Sequence, residues 1–520
     1  MAIKENLMKT FANENPTTLY KDLLQAVYND GDVLSPRGKR VKEIRPCSIE
    51  FLDPTKRVTF LPNRKINPFF QLAESFQIAV GVNDAVWLSK FNSNMLEFSD
   101  DGKYFNAFYG ERIRHWGDNV LHNVENNKSI DQLYDVYKRF IEDKDTRQAT
   151  IAIGNPSFDN YNYLYGEQGK DIACNLYITF KIRDNKLHMC VFNRSNDLHY
   201  GVMGANIVQF STIQETLYSW LKNSGKEQFE NLQLGTYHQI TDSLHIYLDD
   251  YGCKITNECL SAIDKEGYVE PNWNFDDEPR MDSSFKQFTK TANRYYNTWD
   301  KRIIKDETDT ATLYKIFDEI AQADIDPYLQ FIFKSMVVYR LYKRKEYSLV
   351  LSMIHMLENC SWKVSMLNFI KDKMTTPELQ KEYGIIVSDM VKSVHTHQEK
   401  QTLYAYLTLS DNKIYTQNPQ EEKMTAITIK LDKETERLFP EFRKELSDYL
   451  LQTFKNDNVD SVFLSVSEHQ TPVPCFSVQI KIKKGLFTLC SAETAYFIDD
   501  AVNDVVSFAV TKLRENNDED

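Results

Sequence analysis

Apolar and polar residues alternate with a period of two at Thr150–Ile153, Leu176–Ile182 and Leu187–Phe192, the pattern of strands with one buried face. Asp184-Asn185-Lys186 separates the last two and reads as a hairpin connection. From Ile207 to Leu221 the period lengthens. Ile207, Phe210, Ile213, Leu217 and Leu221 fall on one helical face, which predicts a helix turned toward a core. Residues 1 to about 300 thus read as alternating strands and helices. Beyond that point the pattern becomes helical, over Thr308–Ala323 and Tyr328–Leu357. Thr308 or Asp309 suits the cap of the first helix, and Pro327 suits the first turn of the second. Pro377 closes this block or opens its next helix. After the polar stretch Ser410–Lys423, strands are predicted at Thr425–Leu431, Ser461–Val466, Phe476–Lys483 and Leu486–Cys490, with helices at Phe439–Phe454 and Ala501–Leu513. The expected organisation is an α/β domain at 1–300, a helical domain at 301–410 and a small α+β module with an acidic tail at 411–520.

Composition narrows the function classes. The 520 residues carry 62 Lys+Arg against 75 Asp+Glu, a net charge of −13, which argues against a broad basic footprint for nucleic acid or an anionic membrane. No apolar run reaches the roughly 18–20 residues of a membrane-spanning helix. The N-terminus lacks the apolar core of a secretory signal. Eight Cys spread over the chain, with no CxxC, form neither a disulfide scaffold nor a zinc motif. The expectation is a cytoplasmic protein in a reducing compartment, where an individual Cys is free to act as a nucleophile.

One segment concentrates chemistry. Asp171-Ile172-Ala173-Cys174-Asn175 leads into the two hairpin strands, and Asn193-Arg194-Ser195-Asn196-Asp197 follows them. The return strand brings a guanidinium to the same end of the sheet as the thiol. An Arg beside a Cys lowers the thiol pKa and favours the nucleophilic thiolate. The same Arg holds a phosphate by forked hydrogen bonds. Spacing alone leaves a plain buried Cys open as an alternative.

The wider pattern resembles the thymidylate synthase family, including its deoxypyrimidine hydroxymethylase relatives. Six blocks stand in the family's order over about residues 30–250. They are Ser35-Pro36-Arg37-Gly38, Ala73-Glu74, Tyr109-Gly110-Glu111-Arg112, Arg147-Gln148-Ala149 with Asn155-Pro156, the Cys174–Asp197 block with Gly201 and Asn206, and His245-Ile246-Tyr247. The resemblance implies a mixed sheet with helices, and a reaction in which Cys174 adds to C6 of a deoxypyrimidine monophosphate, dUMP favoured. C5 then attacks the one-carbon unit of 5,10-methylenetetrahydrofolate. It further implies that Arg37, Arg194 and Ser195 bind the phosphate, joined by Arg147 from the other subunit of a homodimer. Glu74 would organise proton transfer around O4, and Tyr109 would help remove the C5 proton. Asp197, with Gly201, would anchor the pterin. Asn206 would read the base, and His245 and Tyr247 would bond the sugar 3′-hydroxyl. Each role has a structural alternative: Arg194 an ordinary ion pair, Glu74 a solvent-facing carboxylate, Asn206 a helix cap, His245 a packed core histidine. His199 occupies no functional position.

Several positions depart from the family pattern. Asn175 follows the Cys where His is usual, and Ala173 precedes it where Pro is usual. Gln148 stands for a second Arg, Gly154 for a Trp and Ser243 for an Asp. Gly204-Ala205 adds one residue before Asn206. No closing C-terminal segment for the folate is apparent, and a wetter site favours a hydroxymethyl product over a methyl one. Residues 301–520 carry none of the family's blocks and offer surface for a protein partner. Two functions follow: a folate-dependent methyl- or hydroxymethyltransferase, or a nucleotide-binding sensor or assembly subunit that kept the pocket and lost turnover.

Overall fold

The computed structural model describes residues 8–117, 129–159, 169–265 and 268–408, and beyond these chiefly four strands. The chain divides into two compact units, Met1–Thr416 and Gln417–Asp520. In the first unit the strands are β1 (Lys9–Asn13), β2 (Asp32–Leu34), β3 (Val41–Ile44), β4 (Cys47–Phe51), β5 (Thr150–Ala152), β6 (Asn175–Arg183), β7 (Lys186–Asn193), β8 (Asn196–Asp197), β9 (Gln233–Thr241) and β10 (Leu244–Tyr247). They form a mixed six-stranded sheet in the order β1-β4-β9-β7-β6-β5 and a smaller sheet in the order β2-β3-β10-β8. The chain has the α/β architecture that its periodicity predicted.

The β6–β7 hairpin is the hinge of this arrangement. Asp184 and Asn185 form its two-residue loop with φ of 51° and 57°. Positive φ at both positions matches the twist of the flanking strands, and Asp and Asn tolerate it. Along β6 and β7 one face is buried through Ile178, Phe180, Ile182, Leu187, Met189 and Val191. Tyr177 and Phe192 stand exposed on the other.

Helix Ile207–Lys222 lies behind the sheet. Its predicted stripe is buried, and so are Val208, Gln209, Ser211, Thr212, Gln214, Glu215, Thr216, Ser219 and Trp220. A helix buried all round needs a second cover. Part of that cover is Pro327–Lys343, where Tyr328 approaches the Thr212 hydroxyl at 3.5 Å. The same helix packs on Pro68–Val80, with Phe333 edge-on to Phe76 at 5.0 Å and Tyr339 on Phe69 at 5.2 Å. Glu215, inside this joint, accepts from both Arg57 and Arg280. Burial alone would push its carboxyl up, but the two guanidiniums hold it below the usual range.

The caps follow the sequence, with Asp309 accepting from Thr312 N–H and Pro327 and Pro377 each opening a helix. The long predicted helix Tyr328–Leu357 is in fact two, Pro327–Lys343 and Tyr347–His355. Lys345 takes φ 65° between them, and Glu346 N–H reaches back to Leu341 O at 3.2 Å. A lysine in this left-handed position is not a breaker that sequence announces.

In the second unit β11 (Ile427–Leu431), β12 (Ser461–His469), β13 (Cys475–Lys484) and β14 (Phe487–Ala495) form one sheet. Parallel β11–β12 pairing is followed by two antiparallel pairings. The predicted helices Phe439–Phe454 and Ala501–Leu513, like the polar stretch Ser410–Lys423, fall almost wholly outside the described residues. No helix among the described residues is long and apolar enough to cross a membrane.

Because Phe69 and Phe76 pack against Tyr339 and Phe333, and Arg57 against Tyr328, a chain cut at 300 is expected to aggregate. A chain cut at 416 should run as a soluble species on size exclusion. Aggregation of the 1–416 chain, or a monodisperse 1–300 chain, would contradict this packing.

Candidate active site

Cys174 immediately precedes β6 and Arg194 immediately follows β7, so antiparallel pairing sets them opposite each other. Arg194 N–H donates to Cys174 O at 3.0 Å. The Arg194 side chain folds over the Cys loop, donating to Ala173 O at 2.8 Å and Ile172 O at 3.1 Å, with Nη2 3.7 Å from Cys174 Sγ. Tyr109 opens helix Tyr109–Arg114, and its hydroxyl accepts from Cys174 N–H at 3.4 Å. Asp171 accepts from Ala107 N–H at 3.0 Å, tying the Tyr109 segment to the Cys174 segment. Arg112 braces that helix from behind, bidentate on Asp159 at 2.9 and 2.8 Å.

Electrostatics at the thiol differ from the sequence expectation. Burial pushes Cys174 above the ordinary thiol range; Arg194 and Arg37 pull down, and Asp171 and Asp197 push up. Burial wins, so the resting group is a thiol. Burial also raises the Tyr109 phenol, leaving it neutral.

Glu74, on helix Pro68–Val80, is buried rather than solvent-facing. Burial lifts its carboxyl to about 7, opposed by the Gln209 amide. Its Oε2 has no hydrogen-bond partner among the described residues. An unpaired buried carboxyl oxygen with a near-neutral pKa is what a proton-transfer group requires.

The smaller sheet supplies the remaining groups. Parallel β8–β10 pairing places Asp197 in register with His245. Asp197 Oδ1 caps the helical segment Leu198–Asn206, while its Oδ2 is buried with no hydrogen-bond partner among the described residues. His245 Nδ1 lies 3.2 Å from Ser243 Oγ, and Ser243 donates to Glu43. Ser243 thus accepts from Nδ1–H and leaves Nε2 as an acceptor. Where the family pattern has an Asp, the carboxylate comes from Glu43 through the serine. Tyr247 packs edge-on to His245 at 5.5 Å. Burial raises the Tyr247 phenol, and a hydrogen bond from Arg37 opposes it. That contact brings Arg37, held at φ 53° in an exposed loop, to the same site. Ser195 lies beside Arg194 at the strand end, partly buried.

Leu198–Asn206 is a π-helix, whose wider turn takes up the extra residue at Gly204-Ala205. Gly204 is needed there, since a Cβ would meet His199 O at 2.6 Å. Asn206 does not cap the next helix. Its side chain turns into a buried cluster of carboxamides with Asn175, Asn193, Asn196 and Gln239. Gly201 lies against this cluster. His199 is structural, bonded to Tyr20 at 2.6 Å and Thr256 at 2.8 Å, with burial lowering its pKa to about 3.

Arg147 stands apart from the rest. It is exposed beyond the far end of β6, close enough to Lys181 to lower that ammonium. Lys181 lies seven residue steps along the strand from Cys174, roughly 23 Å at the rise of a strand. Sequence reasoning missed Gln209, Asn193, Asn196 and Gln239; of the carboxamides, only Asn175 and Asn206 stood out.

The thymidylate synthase family profile matches residues 18–301. The chain belongs to the thymidylate synthase family. It is 42% identical over 394 residues to the deoxyuridylate hydroxymethyltransferase of Bacillus phage SP01, covering 73% of this chain and 97% of that relative. It is 34% identical over 233 residues to the enzyme of the same name from Pseudomonas phage M6, covering 45% of this chain and 58% of that one. A putative thymidylate synthase of Methanocaldococcus jannaschii is 25% identical over 248 residues, 47% of this chain and 94% of that protein. A match over 73% of the chain cannot fit within residues 18–301, so the SP01 relationship extends into the helical block. The family and these relatives make the chain a thymidylate synthase-like transferase.

Because burial outweighs the arginines, alkylation of Cys174 by iodoacetamide should accelerate with rising pH, with a midpoint above that of an ordinary thiol. Arg194→Ala removes a group that lowers the pKa. It should move the midpoint further up and slow alkylation at neutral pH. A midpoint below the ordinary thiol range in the wild type would contradict this balance.

Proposed function

We propose that this enzyme transfers a one-carbon unit to C5 of a deoxypyrimidine monophosphate, dUMP in preference to dCMP, and releases the hydroxymethyl product. The observation that carries the proposal is the meeting of Cys174, Arg194 and Tyr109 at one sheet end, taken together with the buried carboxyl of Glu74, whose Oε2 has no partner among the described residues. That two phage relatives are deoxyuridylate hydroxymethyltransferases supports dUMP and hydroxymethyl over the alternatives.

In this reading Arg37, Arg194 and Ser195 hold the phosphate, and His245 Nε2 and Tyr247 bond the 3′-hydroxyl. Arg147 of one chain cannot span the strand to its own Cys174, so it serves the phosphate of a second copy. The exposed sheet face carrying Tyr177 and Phe192 is the natural dimer surface. Cys174 loses its proton as substrate binds, and its sulfur bonds to C6. Negative charge moves toward C5 and O4, where Glu74 delivers a proton. Tyr109, neutral, orders the water that later removes the C5 proton. The unpartnered Asp197 Oδ2 suits the N–H groups of a pterin, so Asp197, with Gly201, would hold methylenetetrahydrofolate. Bound there, that cofactor would supply the carbon at the methylene level and leave as tetrahydrofolate; water would supply the hydroxyl oxygen, and breaking of the C6–S bond would return the Cys174 thiol, so no reductant is consumed.

Wild-type protein should release tritium from [5-³H]dUMP with methylenetetrahydrofolate, and Cys174→Ala should reduce release to background. Glu74 carries its proton below about pH 7 and loses it above, so kcat/KM should fall through that range. Glu74→Gln should lower the rate by about 10²-fold or more and flatten that limb. Unchanged release from the Cys174→Ala protein would overturn the proposal.

A further inference from the structure

Five carboxamides lie together beneath Cys174, at 5% exposure or less: Asn175, Asn193, Asn196, Asn206 and Gln239. They come from four separate places in the chain, the β6 and β7 ends, β8 with the π-helix, and the middle of β9. Buried amides are retained where their directionality is used, because each unsatisfied atom is costly. Two atoms here have no hydrogen-bond partner among the described residues, Asn193 Oδ1 and Gln239 Nε2. Packing alone would favour apolar side chains in such a place.

Within the cluster three amides form a directed line. Asn196 Nδ2 donates to Gln239 Oε1 at 2.6 Å, and Asn206 Nδ2 donates to Asn196 Oδ1 at 3.0 Å. Each amide has one donor end and one acceptor end. Asn206 therefore cannot reverse alone, because its oxygen would then face Asn196 Oδ1. Reversal requires Asn196 and Gln239 to turn with it. Gly201 makes the line possible, since a Cβ there would stand 2.5 Å from Asn196 Oδ1. The contacts of Asn206 with Asn175 are longer, 3.4 Å in each direction. Those are the bonds a base edge would replace.

We propose that Asn196 and Gln239 are positioning residues that set base specificity, holding Asn206 in the one orientation that suits uracil. In that orientation its carbonyl accepts from N3–H and its second amino hydrogen donates to O4. Cytosine, with an unprotonated N3 and an amino group at C4, requires the reverse. Discrimination thus rests on the cost of turning three buried amides together, although only Asn206 meets the base. The inference rests on the transferase reading above and on Asn206 as the base reader that the family resemblance implies.

Calorimetric titration of full-length protein with dUMP and dCMP, without folate, tests it. Asn196→Ala and Gln239→Leu should each reduce the dUMP-over-dCMP binding ratio by about tenfold or more. Asn196→Asp, which still accepts from Asn206 and cannot reverse, should keep the wild-type preference. In an Asn206→Ala background the Asn196→Ala change should have no further effect on the ratio, whereas a purely structural role would weaken both nucleotides equally in either background. Wild-type dUMP binding with the ratio unchanged in both single variants would overturn the inference while leaving the transferase reading intact. Wild-type protein that binds neither nucleotide would overturn both.

Discussion

The antiparallel register of the β6–β7 hairpin is the constraint on which the site depends. Asn175 pairs with Asn193, and Arg194 N–H closes onto Cys174 O. The two-residue loop at Asp184-Asn185 fixes that register, and a slip of one residue would turn every side chain to the opposite face. Cys174 would then leave Arg194, and Asn175 would leave Asn206. Parallel pairing of β7 with β9 and of β8 with β10 carries the same register to Gln239 and His245. One turn thus aligns Cys174, Arg194, Asn206 and His245, the groups to which the proposed reaction assigns the nucleophile, the cation beside it, the base reader and the sugar ligand.

Around this frame the protein buries polar atoms and leaves some unspent. Among the described residues Glu74 Oε2 and Asp197 Oδ2 have no hydrogen-bond partner, while Glu215 and Arg112 are each paired with oppositely charged side chains. Unpaired buried carboxyl oxygens carry a desolvation cost, so they belong where a ligand completes them. The helical block contributes by covering helices Pro68–Val80 and Ile207–Lys222, which hold Glu74 and Gln209. Its match to the phage relative fits a part of the enzyme more closely than an appended binding surface.

Periodicity made part of the frame legible, while the nine-residue β9 and helices Pro16–Asp30, Pro68–Val80 and Asp250–Ile263 were not singled out. β5, β6, β7 and helix Ile207–Lys222 begin and end within one or two residues of where the hydrophobic pattern puts them. Asp309, Pro327 and Pro377 marked helix starts because capping is local chemistry. Strands of two to four residues such as β3, β8 and β10 hold too little sequence for a period to appear. The break at Lys345 carried no Gly or Pro. At the site, residue types and order pointed to Cys174, Arg194 and Glu74, but the thiol's direction of shift depends on burial, which spacing does not contain. The Asn196–Gln239 contact joins residues 43 apart in sequence through sheet pairing, and only the fold makes it visible.

The chemistry assigned to this frame predicts one product. Mass spectrometry of the nucleotide after incubation of dUMP with methylenetetrahydrofolate and the full-length enzyme reads it directly. The account predicts 5-hydroxymethyl-dUMP, formed by the wild type and absent with Cys174→Ala. Unmodified dUMP from folded wild-type protein, or 5-methyl-dUMP as the sole product, would contradict it.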